Sequence, residues 1–599
     1  MTVIALCSKE IDFLSEIVYT IKMDGAFIYI GGTLLMNSEK TIRDPMYGYI
    51  TIESLFAQLI DTEEFQRIRN IRQTGYQSLY PSALHNRFVH SLGVFYLGKK
   101  ALEYFEKNIN IQDEPFADWD EIRRTFLTAC LLHDVGHSPF SHTGEDYYVK
   151  GWDFEEEYAK MMHRPDDWKN WIPINANESK VKCFFVDLSQ SKDGTGKSHE
   201  AMSTLLGIEL CRCYHVQIDE DLFIRAIIGL KYQEDFHSSD KRQVVKNAMI
   251  SLLNGNLLDV DKLDYVLRDA YVTGYNSLTL DLERLLAGYT IVETVDYTYE
   301  VAFKKGALSV IENVIYANDL ERRWIQNHPA ILYDCWLIDG LLGKFDTAAK
   351  EEFVKVELIE GAEEPQFLPI PTIYTKEALS SRGISNGTCK LRLLCDDDII
   401  CYAKNIDNSF FSKQYFARHL RYKPLWKTEA SFDHLTNGVF GDKLLVEISK
   451  SLQRLIGLGE TSNGILINSS FVSGLKDQLK KANENHIKSD SYQQALDICN
   501  IFSAFQEEER LKDFEFVVLF TRKFQTAYRK TGDLDNMKIE LETGLVPLND
   551  VISVQAKGAS QSSKLDLFYV YTTAQNIGNR VDIGKRFIDC LRRNYRSSL

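Results

Sequence analysis

The sequence His-Asn-Arg-Phe-Val-His at residues 85–90 and the sequence Leu-Leu-His-Asp-Val-Gly-His-Ser-Pro-Phe-Ser-His at residues 131–142 indicate the fold of this chain. These two stretches hold five of the 13 histidines in 599 residues. They place imidazoles beside a carboxylate, which is typical of sites for first-row transition metals that activate water. The sequence therefore predicts a metal-dependent hydrolase.

Three candidate metal ligands, His90, His133 and Asp134, lie in these stretches. His133 and Asp134 are neighbours at the end of an apolar predicted helix, and both can reach one ion near its terminus. His137 follows four residues after His133, on the same helix face. His90 comes from the preceding segment. A further ligand is expected from elsewhere in the chain.

Residues 259–269 supply the best candidate for that ligand. Asp261, Tyr265, and Arg268 or Asp269 recur there at helical spacing, so one face of the predicted helix is polar. The opposite face is apolar, so an inward polar face needs a partner. A solvated face is the alternative, but we expect this polar face to supply the further ligand.

The order of these motifs resembles that of the HD phosphohydrolase superfamily. The residues that match the superfamily's signature are His90, His133-Asp134 and Asp261. The resemblance is closer to the deoxynucleoside triphosphate (dNTP) triphosphohydrolases. Further stretches occur in the order of that family: Asp44-Pro-Met-Tyr-Gly, Asp61-Thr-Glu-Glu-Phe-Gln-Arg-Ile-Arg, Gln73, Ser198-His-Glu and Asp261-Lys-Leu-Asp-Tyr. The resemblance covers roughly residues 40–340.

The resemblance implies a role for each matching residue. The metal ligands would be His90, His133, Asp134 and Asp261. The triphosphate would be contacted by Arg87, His137, His142 and Lys262. Deoxyribose would be selected by Gln73, Tyr265 and Asp269. His199 would protonate the leaving sugar oxygen, with His137 near the reacting phosphate. Glu145 stands where the family usually has the aspartate that orients this histidine.

The implied reaction is attack of an activated water on the α-phosphorus of a dNTP. It yields a deoxynucleoside and inorganic triphosphate. The resemblance implies one divalent ion per active site. Mixed nitrogen and oxygen ligands do not decide the identity of that ion among Fe, Mn, Zn, Mg and Ni. It also allows a second Mg²⁺ on the nucleotide phosphates, and it implies a homo-oligomer, whether dimer, tetramer or hexamer.

Some members of that family require a nucleotide activator. Lys40, Asp61, Gln66 and Arg69 resemble their guanine-nucleotide regulatory pocket, so a guanine nucleotide or a dNTP is the expected activator. Asp61 could instead cap a helix at 62–72. Gln66 and Arg69 could then be ordinary surface residues.

We expect a mainly α fold, in which an HD-domain helical core is followed by a mixed α/β region. The predicted divisions are an N-terminal segment at 1–39, the HD domain at 40–345 and an accessory region at 346–599. Residues 147–198 are acidic and hold three tryptophans, which indicates an insertion, either a lid or a surface excursion.

Apolar periodicity predicts the following helices: 52–72, 121–134, 200–212, 221–231, one or two within 244–270, and 310–326. Strand-like runs occur at 181–188, 514–520 and 567–571.

Residues 193–198, Asp-Gly-Thr-Gly-Lys-Ser, permit another interpretation, because the strand-like run 181–188 precedes them as in a P-loop. A full P-loop needs a glycine where Ser191 stands. A glycine-rich turn leading to His199 is therefore favoured.

Two other classes of function remain open. One is an HD-type phosphodiesterase or nuclease that acts on single-stranded nucleic acid, and the other is a nucleotide-sensing regulatory protein. A basic cluster at 585–596 is more typical of a helix end than of a nucleic-acid track. The intact ligand set favours an enzyme over a sensor.

Composition excludes further classes. The net charge of −16 argues against a protein that coats nucleic acid without specificity. The 11 cysteines form no disulfide framework, which is typical of a reducing compartment. The sequence has no signal-peptide pattern and no stretch of about 18 uncharged apolar residues. We expect a cytoplasmic protein that binds no membrane.

Overall fold

The computed structural model describes these residues: 19–23, 26–30, 39–109, 116–150, 153–191, 194, 196–233, 240–255, 258–275, 280–352, 355–357, 366–368, 371–385, 390–436, 442–459, 461, 463–484, 490–521, 537–552, 567–578 and 582–595. Most of the predicted segment 1–39 lies outside these ranges, apart from the backbone of one two-stranded hairpin.

Helices dominate the described residues, as predicted. In chain order they are α1 (Ser54–Ile60), α2 (Glu63–Arg67), α3 (Arg87–Asn108), α4 (Trp119–Leu132), α5 (Phe154–Met161), α6 (Ala176–Gln190), α7 (Ser198–Cys213), α8 (Glu220–Ile228), α9 (Lys241–Leu253), α10 (Val260–Thr273), α11 (Leu282–Gly288), α12 (Leu308–Glu321), α13 (Pro329–Glu352), α14 (Lys376–Leu379), α15 (Asp396–Asn405), α16 (Phe410–Phe416), α17 (Glu429–Thr436), α18 (Asp442–Ile456), α19 (Ser469–Glu484), α20 (Asp490–Glu509), α21 (Leu548–Val551), α22 (Ala574–Ile577) and α23 (Ile583–Tyr595).

The strands form small sheets. In chain order they are β1 (Tyr19–Met23), β2 (Ala26–Ile30), β3 (Lys40–Asp44), β4 (Gly48–Ile52), β5 (Tyr289–Glu293), β6 (Tyr299–Lys304), β7 (Lys355–Glu357), β8 (Gln366–Leu368), β9 (Ile384–Ser385), β10 (Lys390–Leu391), β11 (Lys423–Pro424), β12 (Gly464–Asn468), β13 (Glu515–Phe520), β14 (Lys538–Leu541), β15 (Gly544–Pro547) and β16 (Phe568–Thr572). Two sheets have four strands, with the orders β11-β16-β13-β12 and β15-β14-β6-β5.

Helices α3, α4, α7 and α10 surround the candidate site. Asn86 starts α3 by accepting a hydrogen bond from the backbone N–H of Val89 at 3.1 Å. Asp259 does the same for α10, with the N–H of Lys262 at 2.6 Å. Gly274 ends α10 in the left-handed conformation, at a φ of 71° that suits glycine. Local capping therefore sets where the site-bearing helices begin and end.

Two helix predictions need correction. The predicted helix at 52–72 is interrupted after α1, because Thr62 caps a new helix by accepting from the N–H of Phe65 at 3.2 Å. Asp61 is therefore not the cap. The predicted helix at 310–326 is α-helical only as far as Glu321, where α12 ends, and a π-helical turn follows at Arg322–Gln326.

The strand-like run 181–188 is helical, which corrects that prediction. It lies within α6, which Asn175 caps by accepting from the N–H of Glu178. The helix buries Phe184, Phe185 and Leu188. The P-loop interpretation thereby loses its preceding strand, and Ser198 instead begins α7.

The predicted insertion 147–198 contributes to the core. The Tyr158 hydroxyl lies 3.0 Å from the Thr204 hydroxyl on α7, and the Asp187 carboxylate pairs with Arg225 of α8 at 2.7 Å. Helix α5 thus packs against α7, which carries His199, and α6 packs against α8. Whether they act as a lid remains a prediction.

The accessory region is mixed α/β, as predicted. Strands β13 and β16 match the strand-like runs at 514–520 and 567–571. In the basic cluster, Arg586 and Arg593 on α23 pair with glutamates of α20, which offsets much of their positive charge.

The predicted HD domain and the accessory region share one sheet and one helix. Strand β14 pairs in parallel with β6, and helix α13 runs through position 345. The predicted boundary at 345 remains a prediction. None of the helices within the described ranges is long and apolar enough to cross a membrane.

Candidate metal centre and adjoining polar clusters

Four ligand-type side chains from three separate stretches converge. His90 lies on α3, His133 and Asp134 follow α4, and Asp261 lies in the first turn of α10. The Nε2 atoms of His90 and His133 lie 3.3 Å apart. Asp261 Oδ1 lies 2.9 Å from His90 Nε2 and 3.7 Å from His133 Nε2. Asp134 Oδ2 lies 3.5 Å from the Nε2 atom of each imidazole. The structure therefore brings together all four predicted ligands.

These distances fit a divalent ion. Ligand atoms about 2.0–2.2 Å from one ion lie roughly 3.0–3.5 Å apart when they are neighbours in its coordination shell. The five distances given above span 2.9–3.7 Å. Two neutral imidazoles and two carboxylates are the donors expected for such an ion.

Both imidazoles are oriented by hydrogen bonds on their far side. His133 Nδ1 donates to the carbonyl of Cys130 at 3.0 Å, so its Nε2 carries the lone pair. His90 Nδ1 lies 2.7 Å from the Asp264 carboxylate, which favours the same tautomer. Sequence reasoning did not identify Asp264, although it stands three residues after Asp261 on one helix.

The centre carries an excess of negative charge. Arg268 binds the Asp264 carboxylate through two contacts of 2.9 Å, and the Tyr47 hydroxyl donates to it at 2.8 Å. Burial opposes ionisation of Asp264, but Arg268 and His90 together lower its pKa to about 2. Burial lowers the pKa of His90, yet the carboxylates of Asp261 and Asp264 raise it to about 9. The centre therefore attracts positive charge.

Arg87 holds one of the ligands. Its Nη1 lies 2.7 Å from Asp134 Oδ2, and its Nε donates to the Ser141 hydroxyl at 2.9 Å. Burial raises the pKa of Asp134, but Arg87 and the neighbouring histidines lower it well below its usual value. The triphosphate contact implied for Arg87 remains a prediction. So does that of Lys262, whose ammonium contacts Asp259 and the Gly255 carbonyl.

A cluster of three histidines and a glutamate adjoins the metal centre. The rings of His137 and His199 are stacked with centroids 4.1 Å apart. Glu145 Oε1 lies 2.9 Å from His199 Nδ1 and also contacts His142 Nδ1. His137 Nε2 lies 3.3 Å from Asp134 Oδ1, which links the cluster to the metal centre. The ligand-type atoms of these four residues lie within 4.8 Å of one another, so they could also hold a cation.

Charge is unevenly distributed in this histidine cluster. Burial lowers the pKa of His137 well below its usual value, and Arg87 and His199 lower it further. Burial also lowers the pKa of His199, but Glu145 reverses this and the pKa is raised. Despite burial, His199 and His142 lower the pKa of Glu145. His199 is therefore the member of the cluster that holds a proton most readily.

The loop at residues 133–142, here called the histidine loop, is tightly packed. A Cβ at Gly136 would lie 2.3 Å from the backbone nitrogen of Ser203, so only glycine allows this approach to α7. Phe140 and Ser141 have φ values of 57° and 55°, at a cost of roughly 1–2 kcal/mol each. Arg67 donates to the carbonyls of Val135 and His137 at 2.8 and 2.9 Å.

A second group of buried polar atoms includes the predicted sugar-binding residues. The side-chain oxygen Oε1 of Gln73 has no hydrogen-bond partner among the described residues. Asp269 Oδ1 lies 2.7 Å from His85 Nε2. The hydroxyl of Tyr265 donates to Asn318 Oδ1 at 3.4 Å. Gln73 therefore has an acceptor left for a ligand.

Glu321 joins Asp269 in this group. It accepts from the Tyr76 hydroxyl at 3.2 Å and from Gln326 Nε2 at 2.9 Å. Burial raises the pKa of Asp269 to about 7 and raises that of Glu321, with the Asp269 charge adding to the second effect. Sequence reasoning missed His85 and Glu321.

The predicted activator residues form two surface pairs. Lys40 pairs with Asp61, and both side chains are partly exposed. Arg69 Nε donates to Gln66 Oε1 at 2.7 Å, and the Arg69 guanidinium lies 3.5 Å from the centroid of the Phe88 ring. The structure thus pairs all four residues, and their regulatory role remains a prediction.

Residues 87–168 match the sequence profile of the HD domain, so the chain carries an HD domain. It is 31% identical over 278 residues to an uncharacterized protein of Mycoplasma genitalium, covering 46% of this chain and 52% of that protein. It is 27% identical over 313 residues to the deoxynucleoside triphosphate triphosphohydrolase SAMHD1 of Danio rerio, covering 51% and 44%.

The chain spans about half the length of the curated relatives it matches. A crystal structure of a hypothetical protein from Aquifex aeolicus superposes with a TM-score of 0.48 at 16% identity, covering 91% of this chain and 100% of that one.

Proposed function

From the HD domain that this chain carries, we propose that the protein hydrolyses dNTPs to deoxynucleosides and inorganic triphosphate with one divalent ion. The observation that carries the proposal is the convergence of four ligand-type side chains from three stretches. His90, His133 and Asp261 lie within 2.9–3.7 Å of one another, and Asp134 lies 3.5 Å from both imidazoles. Similarity to proteins named as dNTP triphosphohydrolases supports the choice of substrate. The ligand set is compatible with Fe, Mn, Zn, Mg or Ni, and a second Mg²⁺ could accompany the nucleotide phosphates.

The metal would be held by the four residues His90, His133, Asp134 and Asp261. A divalent ion in this position lowers the pKa of water and withdraws charge from a phosphoryl group. Arg87 stabilises the ionised form of Asp134 through the contact at 2.7 Å. His137 is kept neutral, which suits a hydrogen bond to a phosphate oxygen.

Proton transfer is assigned to His199 and Glu145. Glu145 contacts Nδ1 of His199, which leaves Nε2 to donate a proton to the leaving sugar oxygen. The carboxylate favours the imidazolium and fixes the ring orientation, as an acid partner does in catalytic triads. This assignment gives the histidine cluster a role in proton transfer.

Sugar recognition is assigned to Gln73, Tyr265 and Asp269. A buried side-chain oxygen of Gln73 that lacks a partner among the described residues can accept from a sugar hydroxyl. Asp269, with its pKa near 7, can act as donor or acceptor toward the 3′-hydroxyl. Tyr265 would occupy the space of a 2′-hydroxyl and thereby exclude ribonucleotides.

Product analysis tests the proposal. The protein is incubated with each dNTP, each ribonucleoside triphosphate or single-stranded DNA, with Mn²⁺ or Mg²⁺, and products are separated by anion-exchange chromatography. We expect triphosphate and deoxynucleoside from dNTPs. His133→Ala should abolish turnover, while His434→Ala, an exposed histidine on α17, should not. Release of nucleotides from single-stranded DNA in place of triphosphate would instead support a phosphodiesterase.

Regulation and assembly are part of the same proposal. The Lys40–Asp61 and Gln66–Arg69 pairs would bind a guanine nucleotide or a dNTP activator in a homo-oligomer. Single dNTPs and pairs of nucleotides are compared in the same assay. Undiminished hydrolysis of every single dNTP would rule out a required activator.

A further inference from the structure

Asp396 lies far along the chain from the histidine loop but contacts it directly. It is the first residue of α15, and it is 2% exposed. Its Oδ1 accepts the backbone N–H of Phe140 at 2.6 Å, and its Oδ2 accepts the backbone N–H of Arg72 at 3.0 Å. One buried carboxylate therefore joins two segments of the HD region.

The hydrogen bond falls where the histidine loop is strained. Phe140 and Ser141 both adopt left-handed φ values, and neither is a glycine. Such conformations persist only where the surroundings hold them. Because His142 follows directly, the conformation of these two residues sets where its imidazole meets Glu145.

The same contacts continue to the metal centre. The Ser141 hydroxyl donates to the Arg72 carbonyl and accepts from Arg87 Nε. Arg87 in turn holds Asp134, one of the four ligand residues. Asp396 thus accepts hydrogen bonds from the backbone of Phe140, which precedes Ser141, and from the backbone of Arg72, whose carbonyl accepts from the Ser141 hydroxyl.

A second contact joins the same segment to the loop. The Leu394 carbonyl accepts from Arg67 Nη1 at 2.7 Å, and Arg67 Nη2 donates to the carbonyls of Val135 and His137. Residues 394–396 therefore contact the histidine loop at two points, one through Arg67 and one directly.

We propose that Asp396 is a positioning residue of the active site, which holds residues 138–142 so that His142 meets Glu145 and Arg87 meets Asp134. It touches none of the reacting groups. The kinetic part of this inference rests on the proposed function, and its structural part does not. It gives the accessory region a direct part in shaping the catalytic centre.

Hydrogen–deuterium exchange of the full chain tests the structural part. Asp396→Ala should speed exchange in peptides covering 134–145 by about tenfold, with α9 unchanged. Asp396→Asn keeps one acceptor and should give a smaller effect. Asp397→Asn, an exposed neighbour in the same helical turn, is the matched control and should have none. If Asp396→Ala does not fold, Asp396→Asn provides the same comparison.

Kinetics and metal content complete the test. Asp396→Ala should lower kcat about tenfold to a hundredfold and leave the bound Mn²⁺ per chain unchanged, and Asp396→Asn should recover part of the lost rate. Unchanged exchange at 134–145, or faster exchange throughout the chain, would overturn the proposal. If the wild type hydrolyses no dNTP, the proposed function fails, while exchange still decides the role of Asp396.

Discussion

Replacing Glu145 by glutamine tests whether His199 supplies the proton to the leaving group. Glutamine keeps the shape of the side chain and removes its charge. In the structure, Glu145 Oε1 lies 2.9 Å from His199 Nδ1. Burial lowers the pKa of His199, and the Glu145 carboxylate outweighs burial and raises it.

The size of the effect follows from that contact. A hydrogen bond to a charged group contributes about 1.5–3 kcal/mol, and about 1.4 kcal/mol corresponds to a factor of ten in rate. We therefore expect Glu145→Gln to lower kcat about 10- to 100-fold near neutral pH. The loss of charge lowers the pKa of His199, so the imidazolium is lost at lower pH. The alkaline decline of kcat should move to lower pH, and the two proteins should converge toward acid pH.

The assay measures initial rates of triphosphate release from the best dNTP between about pH 5.5 and 9. Asp146→Asn, an exposed neighbouring carboxylate, is the matched control and should keep the wild-type profile. A Glu145→Gln variant with the wild-type kcat and the same alkaline limb would refute the assignment of His199.

Three further predictions concern the metal and the histidine loop. Asp264→Asn should weaken metal affinity about 10- to 100-fold, measured by competition with a chelating dye, because it removes the carboxylate that orients His90; an unchanged affinity would contradict this role. Removal of the ion by a chelator should abolish hydrolysis and cost about 2.7 kcal/mol of stability relative to ion at about 100 times Kd, measured by thermal unfolding; equal stability with and without ion would argue against binding. Gly136→Ala should destabilise by about 1–3 kcal/mol through its clash with Ser203, whereas Gly306→Ala, which meets no atom within 4 Å, should not; equal denaturant midpoints would show that the loop can move aside.

The metal centre could be predicted because its residues form local patterns. His133 and Asp134 are adjacent, and Asp261 stands on a helix with a polar face. Asp264 could have been found by the same helical spacing, since it follows Asp261 by three residues. Its role depends on a hydrogen bond to His90, 174 residues away, which spacing alone does not indicate.

Other features depend on contacts that no local pattern encodes. Glu321 and Asp396 act through partners distant in sequence, including Phe140, which lies 256 residues from Asp396. The run 181–188 resembles a strand because aromatic and β-branched residues cluster in it. Tertiary packing decides otherwise, since helix α6 buries Phe184 and Phe185 on one side.

Parallel pairing between β14 and β6 has a practical consequence for dissecting this protein. A chain shortened after residue 345 loses β14 and leaves the backbone N–H and C=O groups along one side of β6 without a neighbouring strand. Exposed strand edges recruit other chains, so the shortened protein should self-associate even when its catalytic residues are intact. The same cut removes Asp396 and part of the shared hydrophobic core, so loss of activity in such a fragment would not identify a single cause. Point substitutions in the full chain are therefore the sounder way to assign roles to its parts.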